Sequence, residues 1–252
     1  MHNFHKNRIV CYTPDLNDQI KYNIYIMANI NVYSSLLLSV AIQSIVGVID
    51  IMILLLKVPS KVYIIKQLLT LEVIVQIVEG SFYLHWLCNF KNIPNITPQR
   101  YVDWVITTPT MLITLICYLI FLQYKEKNMS DQLDFFVLIK ENFDTIVKVL
   151  SLNWLMLFFG YISEINLIPA TAGVLLGFVP FLLYYYIIYT KYAIRSKDGI
   201  NIFLYFFFFW SLYGVAALFS YNIKNMFYNI LDLFAKNFLS VFLAYVILRE
   251  VW

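Results

Sequence analysis

Lys236 stands in NILDLFAKNFLSVFLAYVIL, flanked by Phe234, Phe238 and Leu239, too deep in an apolar stretch for its amine to reach water easily. Asp232 lies four residues earlier, on the same face of any helix formed here. A second group lies in RYVDWVITTPTM, where Arg100, Asp103, Thr107 and Met111 step by three or four along one helix face. Charges at bilayer depth cost about 2.5–3.5 kcal/mol each on insertion scales, so a chain that keeps them there turns them toward partners inside a bundle. Two chemistries fit a desolvated lysine beside carboxylates. One is a structural ion pair between helices. The other is covalent: the amine forms a Schiff base with a carbonyl compound, and its cation then needs a carboxylate counter-ion, here Asp232 or Asp103.

The elements that hold these groups follow from composition. Of the 252 residues, 61% are hydrophobic and 18% aromatic, while 13% are charged. A soluble domain is about 45–50% apolar and about 25% charged. The chain therefore reads as an integral, multi-pass, all-α membrane protein. Spans of about 20 apolar residues fall near 29–56, 62–88, 100–122, 145–164, 168–190, 200–220 and 226–249, which makes a seven-helix transmembrane bundle over 29–252. Residues 1–28 form a polar segment outside it, with no signal-peptide apolar core. Lysine and arginine crowd the first–second (Lys57, Lys61, Lys66), third–fourth (Lys125, Lys127, Lys140) and fifth–sixth (Lys191, Arg195, Lys197) connections. That places the N-terminus outside and the C-terminus in the cytoplasm, although Lys6, Arg8 and Lys21 in the tail pull the other way. The net charge of +3 makes no case for nucleic acid. Cys11, Cys88 and Cys117 imply neither a disulfide framework nor a zinc site. No enzyme, catalytic residue or metal is expected.

Seven spans, RYVDWVITTP in the third and DxxxK in the seventh together resemble the microbial (type 1) rhodopsins, over essentially the whole chain after residue 25. The resemblance implies a photoreceptor that binds all-trans retinal as its chromophore through a Schiff base on Lys236. It makes Asp103 the primary counter-ion and proton acceptor, Asp232 the second counter-ion and Arg100 their balancing guanidinium. Thr107 would hydrogen-bond Asp103, and Met111 would lie near the ring end, favouring green absorption. Trp104 resembles the family's ring beside the polyene, and FFWSLYGVA its WxxYP pattern, giving Trp210 and Tyr213. Gly214 stands where the family has Pro, and Ala217 where it has a second Trp, so a roomier pocket is expected there. NWLMLFFG resembles DGIMxxxG and sets Asn153 opposite Thr108; SFYLHW suggests that Tyr83 reaches Asp232.

One fold hosts pumps, channels and sensors. Outward pumps of this family often carry a carboxylate eleven residues after the acceptor; here that position is Thr114, which cannot supply a proton at ordinary pH. Glu72, Gln76, Glu79 and Tyr83 form one face of the second span. Ser35, Ser39, Gln43 and Asp50 do the same in the first span, and Asp232, Lys236 and Ser240 in the seventh. Together they are expected to line a hydrated ion pathway, and acidic lining favours cations. The alternative puts Glu72 and Asp50 at headgroup level against Lys57 and Lys66. The glutamate-bearing second span resembles channelrhodopsins. The chain most resembles the viral rhodopsins of algal giant viruses, one group of which are light-gated cation channels and another proton pumps. The expected function is ion transport as a light-gated channel for monovalent cations, in a host-cell or virus-associated membrane. An outward proton pump and a sensory photoreceptor are the alternatives. Retinal, lipid and the transported cations or protons are the expected partners, with the oligomeric state left open. FFVLI at 135–139 is expected along the membrane surface.

Overall fold

The computed structural model describes residues 31–251 in full and, for 16–30, the helical backbone alone. Most of the 1–28 segment, with Cys11, Lys6 and Arg8, thus falls outside the described residues. The helices are α1 (Leu16–Leu54), α2 (Tyr63–Cys88), α3 (Thr97–Glu126), the short α4 (Phe135–Glu141), α5 (Phe143–Glu164), α6 (Ala170–Lys191), α7 (Lys197–Ala216) and α8 (Tyr221–Val251). The seven long helices coincide with the seven expected spans. The first begins earlier than expected, since its backbone is helical from Leu16.

Six of the seven are long and apolar enough to cross a membrane by length and composition. The other is α2, whose interior holds Glu72, Gln76 and Glu79, all buried. Neighbours in the bundle run α1–α2–α3–α5–α6–α7–α8, and α8 closes the ring against α1. Burial is reversed relative to a soluble protein. Ile45 and Leu175 are 62% and 70% exposed, while Arg100, Asp103 and Asp232 are wholly buried. Such an outside suits hydrocarbon, and such an inside requires polar partners.

Local chemistry sets the ends and bends. Ser196 caps α7 by accepting from Gly199 N, and Asp134 caps α4 by accepting from Val137 N. Asn128 and Asn166 adopt positive φ where α3 and α5 stop, a conformation that asparagine tolerates. Gly173 lets α6 close on α5, since a Cβ there would fall 2.3 Å from Ser163 Cβ. In α4, Phe136 is 74% exposed while Leu138 is buried against the bundle. Residues Leu233–Asn237 of α8, which include Lys236, form a π-helical turn that widens the helix at that lysine.

Candidate functional site

α3 and α8 face each other across the bundle and carry the central charges. Lys236 Nζ lies 3.0 Å from Glu79 Oε1, 3.1 Å from Asp103 Oδ2 and 3.4 Å from Asp232 Oδ1. The structure thus brings together the three residues singled out for the covalent site. It adds Glu79, which was expected only along the ion pathway. Asp232 is fixed from several sides: Tyr83 OH donates to Oδ2 and Tyr213 OH to Oδ1 at 2.6 Å. Arg100 Nη1 lies 3.5 Å from the same carboxylate.

Arg100 has no exposed surface. Its Nε donates to Asn225 Oδ1 at 3.0 Å, its Nη1 to Tyr83 OH at 3.1 Å and its Nη2 to Asn229 Oδ1. Its guanidinium carbon lies 4.8 Å from the Trp86 ring centre and 5.6 Å from that of Tyr228. Such cation–π and charge-assisted contacts keep a buried guanidinium tolerable. Asn225, Asn229 and Tyr228 were missed in the sequence. The signal was present: Asn225, Asn229, Asp232 and Lys236 step by four, three and four along one face.

Thr107 departs from expectation. Its hydroxyl donates to the main-chain oxygen of Asp103 at 3.0 Å, the ordinary i−4 bond of a helical threonine, and not to the carboxylate. Asn153 does meet Thr108, donating to Oγ1 at 2.7 Å, and Thr108 donates onward to Trp104 O.

From Lys236 a cavity of about 110 Å³ runs between α3, α5, α6 and α7. Trp104, Trp210, Met111, Tyr213, Ala217 and Phe178 are among the residues that line it. An apolar slot that ends on a buried amine ringed by carboxylates suits an apolar aldehyde such as retinal. The room expected at Gly214 is taken: a Cβ there would lie 2.5 Å from Phe178 Cε2.

The other expected polar residues fall on two sides of this centre. Ser39 Oγ donates to Asn229 O at 2.9 Å, and Asn229 donates to Ser35 Oγ, next to Arg100. On the other side Gln76 Nε2 donates to Asp50 Oδ2 and to Ser240 Oγ, both at 2.7 Å. Glu72 meets Thr114, and Gln43 of α1 is buried. Asp50 and Glu72 are 0% and 1% exposed, and Lys66 Nζ instead donates to Leu56 O. Both carboxyls thus face the inside of the bundle, and neither pairs with Lys66.

Seven helices around a buried lysine, with an arginine and carboxylates beside it, are the build of a membrane photoreceptor. The chain belongs to the bacteriorhodopsin-like family, whose model matches residues 31–249. It is a microbial rhodopsin and an integral, multi-pass membrane protein, from a family that binds retinal. Among solved structures it is similar to viral rhodopsin OLPVRII, at 27% identity and a TM-score of 0.74 over 88% of this chain and 99% of that one. The fold is shared with blue light-absorbing proteorhodopsin from Med12, at 21% identity and 0.67 over 87% and 98%. It is shared too with the proton pumping rhodopsin AR2 from the marine alga Acetabularia acetabulum, at 16% and 0.66 over 88% and 96%. No curated protein matches the chain.

Proposed function

We propose that the protein binds all-trans retinal on Lys236 and acts as a light-gated channel for monovalent cations. Its N-terminus is outside and its C-terminus in the cytoplasm of a host-cell or virus-associated membrane. Bound retinal supplies absorption of light and a change of shape beside Lys236 Nζ. The surrounding residues then act in turn. Asp103 Oδ2, at 3.1 Å, is placed to take the proton from that nitrogen. Asp232, held by Tyr83, Tyr213 and Arg100, stays ordered while the charge beside it changes. Glu79 reaches the same nitrogen from α2 and so links the charge change to the helix that carries Gln76 and Glu72.

The observation that carries the channel reading is the polar column among α1, α2 and α8. Both amide atoms of Gln43 and of Asn237, Asp50 Oδ1, Glu72 Oε1 and Gln76 Oε1 are buried without a protein partner among the described residues. An unsatisfied polar group at bilayer depth costs several kcal/mol. A run of them is sustained by water, and its carboxyl groups select cations. The test is photocurrent against voltage in cells given all-trans retinal. A current that reverses near the cation equilibrium potentials, and shifts when external sodium is replaced, supports the channel. A small outward current of one sign at every voltage refutes it. That outcome would favour an outward proton pump, a reading supported by Glu72, whose carboxyl meets Thr114 where that threonine can give no proton.

A further inference from the structure

Pro109 sits inside α3. Its ring nitrogen bears no hydrogen, so the carbonyl of Val105, four residues back, loses its helical donor. At bilayer depth no water replaces it. Trp154 of the neighbouring helix α5 does: its indole Nε1 donates to Val105 O at 3.1 Å. The Trp154 ring is 46% exposed, on the lipid side, so it is not there to fill the core.

The residue beside it grips the same turn. Asn153 donates to Thr108 Oγ1, and Thr108 to Trp104 O, both at 2.7 Å. Two consecutive α5 residues therefore hold the α3 turn just before Pro109. That turn carries Trp104 and Thr107 and adjoins Asp103. The arrangement recurs across the pocket. There Tyr205 of α7 donates to Phe234 O at 2.8 Å, inside the π-helical turn that carries Lys236. In both places an aromatic donor from the next helix meets a main-chain carbonyl, beside a proline in α3 and within the π-helical turn of α8.

We propose that Trp154 is a positioning residue for the light reaction: its indole N–H stands in for the donor that Pro109 lacks and holds the turn of α3 that presents Asp103 and Trp104 to Lys236. This rests on retinal being the ligand of the Lys236 pocket. Trp154 makes the strap to the backbone, and the reacting groups feel it through α3.

The test is a double-mutant cycle. Trp154→Phe removes the N–H and keeps an aromatic ring toward lipid. Pro109→Ala returns a main-chain donor to Val105 O. Both are combined, and each protein is measured without retinal, by thermal unfolding, and with all-trans retinal, by absorption maximum and by recovery rate after a flash. In the Pro109 background, Trp154→Phe lowers the unfolding midpoint, shifts the absorption maximum and changes the recovery rate about three- to twenty-fold, the span of interhelical hydrogen bonds in membranes. In the Pro109→Ala background it changes none of these. Equal effects in both backgrounds, or none in the first, overturn the assignment of Trp154 while leaving a retinal pigment in place. A parent protein that forms no pigment would instead overturn the retinal reading, and the role of Trp154 with it.

Discussion

Gly214→Ala tests how the pocket is closed. The added Cβ would sit 2.5 Å from Phe178 Cε2 and 2.8 Å from its Cζ. Carbon atoms rest at about 3.5–4.0 Å, so the ring must withdraw by about 1 Å or more. Phe178 lines the cavity, and the cavity is where it can retreat. Without retinal the move costs little, and the better helix propensity of alanine, worth up to about 1 kcal/mol, offsets it. With retinal bound the space is taken, and the overpacking cost of about 1–3 kcal/mol appears in full. The retinal concentration that gives half-maximal pigment should then rise about 5- to 150-fold. Thermal unfolding of the retinal-free protein should stay close to the parent. Gly214→Ala combined with Phe178→Leu should recover most of the uptake. Parent-like uptake by Gly214→Ala, or no recovery in the double variant, would show that Phe178 does not limit the space for retinal.

Lys236→Arg keeps the cation among Glu79, Asp103 and Asp232 yet should form no visible pigment with retinal. Lys236→Ala should also lose about 3–5 kcal/mol of stability, because it strands buried carboxylates; a visible band in either variant refutes the attachment. Glu79→Gln should still bind retinal but pass a smaller photocurrent with altered cation selectivity, and unchanged currents would remove Glu79 from the pathway. Met111→Gln puts a dipole into the wall of the cavity and should move the absorption maximum toward the blue, which a spectrum of the purified pigment decides.

The seven helices were legible because hydropathy reports length, and the helix ends because lysine, proline and asparagine mark them. The span with the most buried carboxyls, α2, was legible only as a face, from Glu72, Gln76, Glu79 and Tyr83 at steps of four, three and four. A face carries no height. How far along the bundle Glu79 sits relative to Lys236 depends on how α2 and α8 are offset, and no periodicity within one helix encodes that. The same limit applies to Arg100, whose asparagine partners lie on α8, 125 and 129 residues away. Thr107 failed for another reason. A helical threonine has a carbonyl of its own within reach, and residue type alone does not show which acceptor wins. Trp154 was invisible as a donor, because the orphaned carbonyl it serves is made by a proline in a different helix.

The face of α8 joins the two halves of the site. Asn225 and Asn229 hold Arg100, Asp232 and Lys236 form the charged centre, and Ser240 receives Gln76. All five lie on one helix, and the π-helical turn falls in their midst at Leu233–Asn237. A π turn is a register shift held at local cost, and such turns gather at functional sites. Here its backbone bonds are supplemented from α7 through Tyr205. A force on Lys236 therefore acts at the least regular point of the helix, with hydrogen-bonded partners on α3 toward one end and on α2 toward the other. If the turn shifts by one residue, the Asn229–Arg100 and Ser240–Gln76 contacts move together, because both are fixed to the same helix. One local change can then unsettle the charge balance around Arg100 and the packing of the polar column in a single step. If the proposed channel reading holds, this coupling through α8 would let a change at Lys236 act on both ends without a separate signal between them.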